Sequence, residues 1–164
     1  MSEGKSIKLL LVDDEVDFLK SLSERLSLRD FEVTTASEGK QAIKAAKKGH
    51  FDVAILDLRM PGMDGTEVLK VLKDKHKWLE VVMLTGHGSV DSAVEAGKLG
   101  AFGYLEKPYE FDNLVGMLKD AYTARLKKKF EHDKKRMEDI EFLSMGSSPM
   151  SILASLRRLD DEEK

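Results

Sequence analysis

Apolar and polar residues alternate along the chain in two periods, and the changes of period mark the elements. Ile7 to Val12 is nearly all aliphatic and stops at Asp13-Asp14-Glu15. Such a run predicts a strand buried on both faces. From Val16 to Leu28, Phe18, Leu19, Leu22 and Leu26 recur at helical spacing. Phe31 to Thr35 is short and β-branched and predicts a second strand. Ser37 is expected to cap the next helix, which Ala42, Ile43 and Ala46 mark and Gly49 ends. The stretch Phe51 to Gly65 follows, F-D-V-A-I-L-D-L-R-M-P-G-M-D-G. A short apolar run, Val53 to Leu56, closes on Asp57, and Pro61, Gly62 and Gly65 then form a turn. A helix opens at Asp64 or Gly65, with Val68, Leu69 and Leu72 inward. Leu79 to Leu84 predicts a fourth strand ending at Thr85. After the Gly86-His87-Gly88 loop, Ser89 to Leu99 reads as a small-residue helix. Ala101 to Leu105 is a fifth strand ending at Lys107-Pro108, and a long helix starts near Glu110.

Strand and helix alternate five times, which implies an α/β domain whose parallel sheet is covered on both faces. Right-handed crossovers make that sheet doubly wound. The carboxyl ends of all strands then lie along one edge, where open sheets of this kind bind ligands. That edge collects Asp13, Asp14, Asp57, Thr85 and Lys107.

Those residue types suggest a chemistry. Three carboxylates brought together repel, so they must take up protons or share a cation. The chain has no cysteine and no paired histidines, and all-oxygen ligation favours Mg²⁺ or a similar hard ion. Lys107 is a flexible point charge able to reach a phosphoryl oxygen, and Thr85 offers a hydroxyl donor. A carboxylate nucleophile, a hard cation, an ammonium and a hydroxyl together make a phosphoryl-transfer site. Taken singly, each has a plainer reading. Asp57 could be a turn former, Asp13 to Glu15 a helix N-terminal bias, Lys107 a surface lysine and Tyr104 a half-buried sheet aromatic. Their placement at matching strand ends argues for a shared site.

Composition narrows the classes. With 164 residues, 41% hydrophobic, the chain suits one domain with an appendage. A net charge of −3 gives no electrostatic footprint for direct nucleic-acid binding. The start is polar, and no apolar run approaches the ~20 residues of a membrane span. A cytoplasmic protein is the expectation. No G-x-x-x-x-G-K-[ST] is present, so there is no P-loop.

Four pieces carry a resemblance: L-L-L-V-D-D-E at 9–15, D-L-R-M-P-G-M-D-G at 57–65, M-L-T-G-H-G at 83–88 and G-A-F-G-Y-L-E-K-P at 100–108. In this order and spacing they resemble the receiver domain of two-component response regulators, over residues 5–125. The resemblance implies a flavodoxin-like sheet of order 2-1-3-4-5, an order for which a receiver of this family is a standard example. It implies that Asp57 accepts a phosphoryl group from a sensor histidine kinase. Asp14, Asp57 and the main-chain carbonyl of Arg59 would ligate Mg²⁺, with Asp13 acting through water. Thr85 and Lys107 would bind phosphoryl oxygens, and Tyr104 matches the switch aromatic. Lys107-Pro108 matches the family's cis peptide. Arg59 and His87 border the path of attacking water and are expected to tune phosphoryl lifetime; His87 is expected to be exposed. The chain would be a signalling switch acting through a downstream protein partner, not a metabolic enzyme. Two alternatives stay open: a Mg²⁺-dependent aspartyl phosphatase, which wants a second Asp where Arg59 stands, and a degenerate receiver serving only for dimerisation.

Residues 126–164 form a tail of different composition. Lys127-Lys128-Lys129 and Lys134-Lys135-Arg136 alternate with acids and read as a solvated face. Leu114, Leu118, Tyr122, Leu126, Phe130, Met137 and Ile140 step by threes and fours, with Asp133 interrupting. The last helix is therefore expected to run to about Phe142, with a stripe that a homodimeric coiled coil would cover. Gly146-Ser147-Ser148-Pro149 should break it, and Met150 to Leu159 should form one more short helix. M-G-S-S-P-M faintly resembles the start of the ATPase domain in nitrogen-regulation-type activators, so the chain would be a stand-alone receiver with a relic linker or part of a longer regulator.

Overall fold

A parallel sheet runs through the centre of the protein, buried on both faces. The computed structural model describes residues 6–144 together with Arg157 and Arg158. Its strands are β1 (Ile7–Val12), β2 (Phe31–Ala36), β3 (Val53–Leu56), β4 (Glu80–Thr85) and β5 (Gly103–Glu106). They pair in the order β2-β1-β3-β4-β5, every pair parallel. The helices are α1 (Val16–Ser27), α2 (Gly39–Lys48), α3 (Gly65–Lys75), α4 (Val90–Lys98) and α5 (Phe111–Ser144).

Strand alternation sorts the core into two halves. Leu10, Val12, Leu56, Val81 and Met83 face α2 and α3, packing on Ala42, Ala46, Val68, Leu69 and Leu72. Leu9, Leu11, Ile55, Val82 and Leu84 face α1 and α5, packing on Leu22, Leu26, Leu114 and Leu118. A run such as Leu9 to Val12 must be aliphatic throughout because each side chain meets a helix layer.

Local signals set the helix starts, with one correction. Asp64 caps α3 by accepting the Glu67 N–H at 3.0 Å. Ser89 caps α4 in a reciprocal capping box with Ser92. Ser37 does not cap α2. Glu38 holds the cap position without a side-chain bond, and the Ser37 N–H and hydroxyl both donate to Gln41 Oε1. The longer Gln41 side chain reaches back over the turn and captures the serine. The last two strands also start later than the apolar pattern suggests, and β4 takes in Thr85.

α5 is 34 residues long and runs from the carboxyl edge of the sheet past its amino edge. Three contacts strap its middle there. Arg125 Nε donates to Asp52 at 3.0 Å, Lys128 pairs with Glu80 at 3.1 Å, and the His132 ring lies 4.9 Å from that of Trp78. Glu80 is only 2% exposed and also meets Lys73 at 3.6 Å. So Lys128, expected on a solvated face, neutralises a buried acid. Leu126, Phe130, Met137 and Phe142 are exposed. The expected break at 146–149 lies outside the described residues, as does most of the helix expected at 150–159; Arg157 and Arg158 are helical.

The turn after β3 depends on two glycines in different ways. Gly65 donates its N–H to the Leu58 carbonyl at 2.7 Å, and a Cβ there would collide with the Asp57 carbonyl. Gly62 has φ of +79° but open space around it. Gly65→Ala should therefore cost about 2–3 kcal/mol through a backbone clash. Gly62→Ala should cost about 1 kcal/mol through left-handed strain alone. Urea denaturation of both variants checks the ranking.

Candidate functional site

The register of β1 against β3 brings the acids together. Val12 pairs with Leu56, and the Asp57 N–H donates to the Val12 carbonyl at 3.0 Å. The residues following the two strands, Asp13 and Asp57, therefore leave the sheet side by side. Asp13, Asp14 and Asp57 each offer a carboxylate oxygen, all within 4.8 Å of one another. Asp13 is 1% and Asp57 2% exposed, whereas Asp14 is open to solvent. Oδ1 of Asp57 is buried with no hydrogen-bond partner among the described residues.

β5 supplies the counter-charge. Lys107 N–H donates to the Thr85 carbonyl at 2.9 Å, one residue beyond the Thr85–Glu106 pair. The Lys107 ammonium reaches across to Asp13 Oδ2 at 2.6 Å and lies 3.9 Å from the centre of the Phe18 ring. Phe18 in turn meets Tyr109 edge-on, at 6.5 Å and 87°. Lys107 is thus held between a carboxylate and an aromatic face. The Lys107-Pro108 peptide is cis. Asp13's other oxygen accepts the Glu15 N–H at 2.9 Å, at the start of α1.

Burial pushes the Asp13 carboxyl above its ordinary value of 3.8. The hydrogen bonds from Lys107 and Glu15 and the charge of Lys107 oppose this, and the charge of Asp57 adds to it. Burial likewise raises the Tyr109 phenol above 10.0, against the charges of Arg25 and Lys107.

A second chain of contacts leads away from the acids. Thr85 is fully buried, and its hydroxyl accepts the His87 N–H at 3.0 Å. The His87 side chain is exposed. Next to it, Gly88 has no room for a Cβ because the Tyr104 hydroxyl and Glu106 are there. Tyr104 is half-buried, and its hydroxyl shares a hydrogen bond of 3.0 Å with Ser92 Oγ, inside the α4 capping box. Arg59 is exposed on the loop two residues past Asp57.

Sequence reasoning missed two partners here. Phe18 reads as an ordinary apolar position of α1, and Ser92 as a polar position of α4. The only available signals were Phe18's place one turn after the acids and the S-x-x-S spacing of Ser89 and Ser92.

The sign for Asp13 follows from linkage. A folded value above the unfolded one means stability is fully present below about pH 3.8 and is lost as pH rises through the folded value. Asp13→Asn should therefore stabilise the metal-free protein near neutral pH, by about 2–4 °C in Tm. The gain should shrink toward about pH 4. Thermal unfolding across pH checks it; a gain that grows on acidification would contradict the assignment.

Comparisons with known proteins bear on this geometry. A family model described as the response regulator receiver domain matches residues 9–119. The transcriptional regulatory protein ZraR of Klebsiella oxytoca is 38% identical over 118 residues, 72% of this chain and 27% of that protein. FixJ of Bradyrhizobium diazoefficiens is 38% identical over 69% of this chain and 55% of its own length. The chain thus spans between about a quarter and about half of these relatives. A crystal structure of a receiver domain protein from Clostridium thermocellum superposes with TM-score 0.70 at 33% identity, covering 76% of this chain and 98% of that one. NtrX from Brucella abortus, solved in complex with ADP, gives TM-score 0.73 at 30% identity, covering 80% and 29%. The matched span takes in all five strand ends and the acids they bring together, and the chain belongs to the response regulator receiver domain family of two-component systems.

Proposed function

We propose that the chain is a phospho-accepting switch in which Asp57 takes a phosphoryl group from a sensor histidine kinase. The observation that carries this reading is the buried, unpartnered Oδ1 of Asp57 among three carboxylates. An acceptor oxygen left bare in a closed site is a nucleophile waiting for an electrophile or a cation.

The donor set fits Mg²⁺: hard oxygens, at least two of them anionic, with Asp14 facing water. Asp14 and Asp57 would hold it with the carbonyl of Arg59, and Asp13 would act through water. When bound, the ion neutralises charge on the phosphoryl oxygens. The chain's own residues do the rest. An Asp57 carboxylate oxygen forms the new O–P bond while the P–N bond of the donor phosphohistidine breaks, and the imidazole leaves with the electron pair. Lys107, already held on Asp13, needs only a short reach to meet a phosphoryl oxygen, and doing so spreads its charge over both.

The switch follows from Thr85. Its hydroxyl now accepts from His87 N–H. Donation to a phosphoryl oxygen would turn it away, freeing the His87–Gly88 segment that packs against Tyr104. Tyr104 then repacks, and α4 responds through Ser92. α4 can yield because Ala96 is its only buried residue. The altered surface engages a downstream protein partner, and net charge −3 disfavours direct nucleic-acid contact by this chain. The chain is a switch that catalyses its own phosphorylation and dephosphorylation; it does not turn over free substrates.

α5 adds a dimer. Leu126, Phe130, Met137 and Ile140 fall on one seam of alternating three- and four-residue steps, broken by Asp133. Phe130 is 69% and Met137 65% exposed, too much aromatic and aliphatic surface for a lone helix. A second copy in a short parallel coiled coil covers it.

Incubation with acetyl phosphate and Mg²⁺, followed by mass spectrometry, should show one added phosphoryl group on Asp57. Asp57→Asn should take none, and Arg59→Ala should change adduct lifetime several-fold. No adduct, or turnover of added phosphomonoesters, would overturn the switch. For the tail, light scattering should give a dimer mass that Phe130→Lys with Met137→Lys converts to a monomer. A monomer mass at all concentrations, with and without phosphorylation, would defeat the dimer.

A further inference from the structure

The edge of the sheet opposite Asp57 carries a second concentration of charge and aromatic surface. The amino ends of β3 and β4, the carboxyl ends of α2 and α3 and the middle of α5 border a half-open cavity of about 300 Å³. Phe51 and Trp78 form apolar walls. The charged and titratable groups lining it are His50, Lys75, His76, Lys77 and Arg125, all of them basic.

Part of that charge answers the two helix ends, since Lys75 closes the last turn of α3. Arg125 is different. Its Nε donates to Asp52 Oδ1 at 3.0 Å, which fixes the guanidinium plane. Its Nη1 is buried and meets no acceptor among the described residues. The other oxygen of Asp52 accepts the Lys8 N–H at 3.0 Å. A guanidinium is a planar fork suited to oxyanions. The cavity is also electropositive in its effect on neighbours. His76 is held below its ordinary value of 6.5, first by burial, then by Lys75 and His50.

We propose that this cavity binds a small organic anion, an aromatic body against Phe51 and Trp78 bearing one phosphate or carboxylate group on Arg125 and Lys75. Its volume is at the lower end for small-molecule sites, enough for one ring and its anionic group. The apolar walls reward the body, and the wholly basic set of charged groups around it rewards the charge. Neither half alone satisfies both. This site is independent of the phosphoryl chemistry at the other edge.

Trp78 is the chain's one tryptophan, so its emission reports the cavity directly. Phenyl phosphate, benzoate, inorganic phosphate and phenol are titrated into the metal-free full chain. Phenyl phosphate or benzoate should give a saturable change in emission, and comparing them assigns the phosphate or carboxylate preference. Inorganic phosphate and phenol should need at least about tenfold more, because each supplies half of the contacts. Arg125→Gln should raise the midpoint about tenfold. Since that change also cuts the α5 strap, Lys75→Gln, on an exposed position, should raise it about threefold in a protein of unaltered stability. Asp57→Asn should leave the curve unchanged, which separates this site from the phospho-acceptor. No saturable response to either aryl anion below about 10 mM, equal response to phenol, or curves unmoved in both cavity variants would overturn the proposal.

Discussion

Three carboxylates within 4.8 Å of one another, two of them buried, are the constraint around which this protein is built. Like charges at that spacing oppose folding, and burial removes the water that would screen them. The fold tolerates them because the parallel register also delivers Lys107 from β5 to Asp13 at 2.6 Å. Phe18 completes the arrangement from the first turn of α1, its ring under the ammonium. Four separate segments thus meet over one acid. The cost is not fully offset, as the raised Asp13 carboxyl shows. A site left in that condition gains from any added cation.

The opposite edge solves a similar problem by other means. Glu80 is buried at the start of β4 and is neutralised by Lys73 and Lys128. Asp52 is shared between Arg125 and the Lys8 N–H. These pairs hold α5 against the sheet well past the point where its apolar face stops packing on the core. Anchoring is uneven across the helices. α3 buries four residues and α5 is strapped at three points, whereas α4 buries Ala96 alone. The loosest helix is therefore the one that Thr85, Gly88 and Tyr104 adjoin. With that distribution, α4 is the helix with least to lose on moving.

Much of the fold was legible in one dimension. Fully aliphatic runs at Leu9 to Val12 and Val53 to Leu56 can only be strands covered on both faces, and alternation with helical periods then dictates a parallel sheet. Asp64 and Ser89 cap their helices as their positions suggest. Ser37 does not, because capping depends on which side chain wins a local competition, and Gln41 reaches farther. The carboxyl-edge cluster was legible for the same reason as the sheet: strand ends in parallel register share an edge wherever the connections lead.

What the order of residues determined by itself is the sheet, its buried faces and the list of groups at its carboxyl edge, because period and strand direction are properties of the chain alone. Tertiary structure decided which of those groups touch. That Lys107 rests on Asp13 and Phe18, that Tyr104 reaches Ser92, and that Lys128 serves Glu80 are contacts between segments 12 to 94 residues apart. Side-chain reach and the competition for buried partners settle such contacts, and neither leaves a period in the sequence.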